Sequence, residues 1–74
     1  MNNDHLLPDT SAPIQPGDIR RLRIEARLSQ AAFARYVNLS PCYISQLERG
    51  ARQAVGPTRA LFNVIRRQGV EVLL

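Results

Sequence analysis

The chain predicts an all-α fold, a small bundle of about four helices. Three observations point that way. Apolar residues recur at three- and four-residue intervals from Ile19 to Ile65 rather than in strict alternation. Helix-starting signals at Pro16-Gly17-Asp18, Ser29, Ser40-Pro41 and Pro57 divide that stretch. Helix-stopping residues, Asn38, Gly50 and Gly69, follow the later three starts at short distances.

Residues 1–16 include Asn2, Asn3, Asp4, Pro8, Asp9, Ser11 and Pro13 without any period. They are expected as a flexible tail, leaving 17–74 as the folded domain. The first helix should run from Asp18 to Ala26, with Asp18 at its positive end and Ile19, Leu22 and Ala26 inward. Ser29 caps the second helix, whose inward stripe is Phe33, Ala34 and Val37. Asn38 ends it, because asparagine tolerates the left-handed conformation. Ser40 supplies a capping hydroxyl and Pro41 a first helical residue with preset φ, so the third helix should run Pro41 to Arg49. Ile44 and Leu47 face inward there, and Gly50 stops the helix. After a loop from Ala51 to Gly56, Pro57 opens a fourth helix with Leu61, Val64 and Ile65 inward and Gly69 as terminator. Residues 70–74 read either as a frayed end or as a short extended segment.

Seventy-four residues make one domain at most, burying only about 60% of the unfolded surface. Cys42 is the sole cysteine and His5 the sole histidine, so no internal disulfide can form and a four-ligand zinc site is not expected. We expect no metal and no cofactor. Stability then falls to helix packing and dimerisation. A free thiol fits a reducing cytoplasm. The longest apolar run, Ala31 to Ala34, is far below the roughly 20 residues of a membrane span, and no basic stretch precedes an apolar one at the N-terminus. A cytoplasmic protein with no membrane partner is the expectation.

All ten basic residues are arginine, and none precedes Arg20. Beyond residue 16 they face only Asp18, Glu25, Glu48 and Glu71, a formal +6. That density fits either a polyanionic partner or a solvated arginine-rich surface. Chemistry is not indicated: there are no paired carboxylates, no glycine-rich phosphate loop, and the one base for Cys42 would be His5 in the tail. The chain is expected not to be an enzyme.

The most informative unit is Gln30 to Leu47, two short helices joined by Asn38-Leu39-Ser40. A helix-turn-helix needs a small residue where the helices cross, here Ala34, and a residue accepting positive φ in the turn, here Asn38. It also needs apolar contacts to set the angle, here Phe33, Val37, Leu39, Ile44 and Leu47, while the outer face of the second helix stays free.

These offsets, with Leu28-Ser29-Gln30, Phe33-Ala34 and Ile44-Ser45-Gln46-Leu47-Glu48-Arg49-Gly50, resemble the phage-repressor (Xre, or Cro/C1-type) helix-turn-helix family over about Ile19 to Gly69. Two departures stand out: Asn38 and Arg27 occupy positions where that family commonly has glycine, so the first connection should carry some strain. The resemblance implies a lambda-repressor-like bundle acting as a dimeric repressor on a double-stranded DNA operator. The stretch from Glu48 through Pro57 is similar to HigA-type antitoxins, which implies the alternative of an antitoxin. Such a protein neutralises a small RelE/HigB-like ribonuclease toxin and represses its own operon. Leu47 stands where those proteins usually have tryptophan, and a proline common in the following loop is absent.

By the same resemblance Pro41, Cys42, Tyr43 and Gln46 face the major groove. Gln46 is the best base reader, since its amide can bond adenine N6 and N7 together. Tyr43 would touch a phosphate or a thymine methyl, or else cover the core edge. Pro41 and Cys42 offer apolar contact to a thymine methyl. Ser29, Gln30, Arg35, Ser40, Arg49 and Arg52 form the expected phosphate-binding set, with Gln30 at the open amides of its helix. Arg20, Arg21, Arg59, Arg66 and Arg67 are read as solvated or interfacial. Arg23 should pair with Glu48, tying the first helix to the third. Phe62 lies off the inward stripe of the fourth helix. It is therefore either part of a dimer interface built with residues 70–74 or a cover for the core.

Overall fold

The computed structural model describes residues 12–69, folded into four helices: α1 (Pro16–Glu25), α2 (Gln30–Val37), α3 (Pro41–Arg49) and α4 (Gly56–Gln68). The all-α expectation holds, and the helices form a small bundle in which α2 packs on α3 while α1 packs on both α3 and α4. The starts of α2 and α3 fall at the capping serines. Ser29 Oγ accepts from the Ala32 N–H and Ser40 Oγ from the Tyr43 N–H, each at 3.1 Å. Each hydroxyl satisfies one of the four amides a helix start leaves open.

The first three helices end the same way. Arg27 and Asn38 each sit at φ +60° and Gly50 at +77°. The next N–H in each case reaches back five residues: Leu28 to the Arg23 carbonyl at 3.1 Å, Leu39 to Ala34 at 2.9 Å, and Ala51 to Gln46 at 2.9 Å. This paired left-handed closure satisfies the last carbonyls and turns the chain sharply back. At Leu28 and Leu39 the turn also brings an apolar side chain against the core. Arginine in this conformation is the uncommon case, and its Cβ crowds the following carbonyl.

The core is Ile14, Ile19, Phe33, Ala34, Val37, Ile44, Leu47, Ala54, Phe62 and Ile65. Phe33 of α2 and Phe62 of α4 meet in a tilted pair, ring centroids 6.1 Å apart. Ala34 is buried between α2 and α3, where a larger side chain would push the helices apart.

Three expectations are corrected. Phe62 is fully buried, so it is a core residue and has no surface for a dimer contact. The fourth helix is rotated relative to the expected stripe: Phe62, Asn63 and Ile65 point inward, and Leu61 and Val64 flank them. Second, part of the segment assigned to the tail is folded. Ile14 is 4% exposed, and the Ala12 carbonyl accepts from buried Asn63 Nδ2 at 2.7 Å. Asn63 can sit inside because this bond, with another from Nδ2 to the Arg59 carbonyl at 3.2 Å, satisfies its amide donors. Third, α1 begins at Pro16 rather than Asp18, because the Gln15 N–H donates to Asp18 Oδ2 at 2.9 Å and makes Gln15 the cap. Residues 1–11 and 70–74, the rest of the tail and the C-terminal segment, lie outside the described residues.

Candidate nucleic-acid interface

Helix α3 has two unlike sides. Ile44 and Leu47 are fully buried against the core, and the Glu48 side chain is only 5% exposed. Pro41, Cys42 and Arg49 are exposed, while Tyr43, Ser45 and Gln46 are half-buried. Gln46 sits one turn beyond Cys42 and one turn short of Gly50, and its backbone carbonyl takes the Ala51 and Arg52 N–H groups at 2.9 and 3.2 Å. These bonds bend the chain after α3 back over its last turn. There the Arg52 guanidinium lies 5.9 Å from the centre of the Tyr43 ring, within cation–π range.

Behind that surface stands a polar brace. Arg23 of α1 donates through Nε and Nη2 to the two carboxylate oxygens of Glu48 on α3, at 2.7 and 3.0 Å. Its Nη1 donates to the Leu28 carbonyl at 3.0 Å. A fork-on-fork contact of this kind fixes orientation as well as distance. Gln30, the first residue of α2, donates from Nε2 to Glu48 Oε1 at 3.2 Å. Three helices therefore meet on one carboxylate. Burial pushes the Glu48 carboxyl up, but the hydrogen bonds from Arg23 and Gln30, and the charges of Arg23 and Arg20, pull harder. Its net position is below the ordinary carboxylate value. Arg23 is correspondingly held further above its usual value, first by the hydrogen bond to Glu48.

The starts of α2 and α3 each retain open donors. Ser29 engages the Ala32 amide, and among the described residues no protein acceptor meets the N–H groups of Gln30 and Ala31. Ser40 engages Tyr43 in the same way and leaves the Cys42 N–H. Both serine oxygens accept a backbone bond, so each hydroxyl proton is still available to an outside acceptor. Arg35 is exposed on α2 in a groove with Leu28, Ala32 and Tyr36.

Of the residues singled out from the sequence, Pro41, Cys42, Tyr43 and Gln46 share α3, with Arg52 folded onto Tyr43. Arg23, Glu48 and Gln30 are joined in one network. Phe62 is not part of this surface. Nothing in the sequence signals the bond from Gln30 to Glu48, because the two residues are 18 positions apart and share no helical period. Arg20, expected to be solvated or interfacial, is exposed, yet its charge reaches Glu48.

A short helix braced by its predecessor, with a left-handed turn between them and its outer side unoccupied by the fold, defines the helix-turn-helix class. The family model described as helix-turn-helix matches residues 19–61, more than half of the chain. The chain belongs to this helix-turn-helix family, the Xre/Cro-C1 type of DNA-binding regulators. No curated protein matches it closely enough to count as a relative. No helix among the described residues is long and apolar enough to cross a membrane.

Proposed function

We propose that this chain is a sequence-specific repressor that binds an inverted repeat as a dimer, with α3 of each protomer in the major groove. The observation that carries the reading is the asymmetry of α3. Its Ile44, Leu47 and Glu48 side chains are held against the rest of the fold, while Pro41, Cys42 and Arg49 are exposed and Gln46 is half-buried. Gln46 is the base reader, its carboxamide offering the donor and acceptor pair that matches adenine. Pro41 and Cys42 pack against thymine methyl groups, and Tyr43 sits at the edge of the same contact. Ser29, Gln30 and Ser40 hold phosphates at the two helix starts, and Arg35, Arg49 and Arg52 neutralise phosphates around them.

Two α3 helices must lie about 34 Å apart to enter successive grooves on one face of the duplex. With Phe62 in the core, the large exposed apolar side chains left to a second copy among the described residues are Ile24, Tyr36 and Val55. Repression follows by occupancy of a promoter, since polymerase and repressor cannot share the same groove.

The test is retention of genomic fragments. A small set should be held preferentially, share an inverted repeat and release steeply with salt. If each protomer neutralises about four phosphates, the slope of log affinity against log salt is near −7 for the dimer. Equal retention of all fragments would contradict sequence-specific reading.

A further inference from the structure

The chain after α3 is tied back to that helix at two points, and both ties run through Arg52. Gly50, at φ +77°, turns the chain so that the Arg52 N–H donates to the Gln46 carbonyl at 3.2 Å, beside the Ala51 N–H at 2.9 Å. The Arg52 guanidinium then lies 5.9 Å from the centre of the Tyr43 ring. Tyr43 and Gln46 stand three positions apart on α3, so they share a side of the helix. One residue from outside α3 therefore engages the side chain of one expected base-reading residue and the backbone of the other. Among the described residues no carboxylate pairs with Arg52. The Tyr43 ring is half-buried and packs against the core. Core and guanidinium together leave that ring fewer positions than the core alone would.

We propose that Arg52 is a positioning residue for base discrimination: its guanidinium fixes where the Tyr43 ring meets a base edge, so its loss relaxes sequence preference as well as affinity. The proposal deepens the DNA-binding reading above and rests on it. It also separates two roles of one arginine. Neutralising a phosphate strengthens binding to every duplex alike. Holding Tyr43 affects only the comparison between duplexes that differ at the base pair the ring meets.

The test uses Arg52→Met, Tyr43→Leu and their combination. Arg52→Met keeps an unbranched apolar stem and removes the charge. Each chain is titrated against the inverted repeat recovered by fragment retention and against its single-base-pair variants, at several salt concentrations. Arg52→Met should lose about two- to five-fold of discrimination at one base pair of each half-site, the range a cation over an exposed ring accounts for. Tyr43→Leu should lose discrimination at the same base pair. In the Tyr43→Leu background, Arg52→Met should cost no further discrimination, since the two residues act as one unit. Any change in salt slope caused by Arg52→Met should be equal in both backgrounds, which isolates the phosphate contribution. Circular dichroism on the same samples keeps loss of folding from being counted as loss of binding.

The contact itself is read without DNA. In a nitrogen–proton correlation spectrum the Arg52 Nε–H line, assigned by its absence in Arg52→Met, should move when the ring is removed in Tyr43→Leu. A line that stays in place overturns the proposal. So does full discrimination in folded Arg52→Met, or an equal loss with and without the ring; each of these leaves DNA binding intact. Equal binding of the unaltered chain to every duplex overturns sequence-specific reading, and the role of Arg52 with it.

Discussion

Arg23 and Glu48 lie 25 residues apart and meet through two hydrogen bonds, 2.7 and 3.0 Å long, with side chains only 15% and 5% exposed. The pair fastens α3 to α1 through side chains withdrawn from solvent. Removing one partner leaves the other charge poorly solvated, and breaking such a pair costs about 3–5 kcal/mol. A single core of this size supplies on the order of 3–5 kcal/mol in total. Arg23→Ala should therefore leave the chain largely unfolded at 37 °C, as read by thermal melting.

The same pair sets an acid limit. Glu48 is held below its usual value in the fold, so its contribution is fully present above the unfolded carboxylate value of about 4.3 and is lost as pH falls through the folded one. Urea midpoints should fall as the pH is lowered from about 5 toward 3. In Glu48→Gln, a destabilised chain, that part of the decline should be missing. An unaltered acid decline in Glu48→Gln would assign the pH dependence to other carboxylates.

Arg27 carries strain that its neighbours impose. It sits at φ +60°, exposed, between α1 and α2, and the closure of α1 requires that conformation. A left-handed residue with a Cβ costs about 1–2 kcal/mol, and glycine avoids this at a loss of about 0.4–1 kcal/mol through its freer unfolded chain. Arg27→Gly should stabilise the domain by about 0.5–1 kcal/mol, seen as a higher urea midpoint with an unchanged slope.

Phe62 provides a check on where the core ends. Its ring is fully buried against Phe33. Phe62→Leu should lower stability by about 1–2 kcal/mol through lost packing, with the sedimentation profile of the folded protein unchanged. Dissociation of a dimer at constant stability would return Phe62 to the surface.

What was legible in the sequence is what a few neighbouring residues decide by themselves. Ser29 and Ser40 cap the amides three residues ahead, and Asn38 and Gly50 turn left-handed to close the helix just behind. The Pro41–Arg49 boundaries could be read because all of these signals are local. Phe62 and Asn63 could not be placed the same way. The rotation of α4 depends on what meets it, here the Phe33 ring from α2 and the Ala12 carbonyl from upstream of α1. Asn63 looks solvent-facing by polarity until its partner, a backbone carbonyl 51 residues earlier, is known. Ile14, a lone apolar residue between prolines, shows no period from which its burial could be read. The Arg23–Glu48 pair was expected from family resemblance; the addition of Gln30 to it is a matter of three-dimensional packing.

On the proposed reading, the outward side of α3 contacts base pairs while its surroundings hold phosphates. The most direct measurement titrates the unaltered chain, Gln46→Ala and Arg49→Ala against the operator and its single-base-pair variants at several salt concentrations. Gln46→Ala should lose about 1–3 kcal/mol of discrimination at one base pair of each half-site, with the salt slope preserved. Arg49→Ala should bind every duplex more weakly by a similar factor and reduce the slope by about 1. Full discrimination at every position in folded Gln46→Ala would contradict the placement of α3 in the major groove.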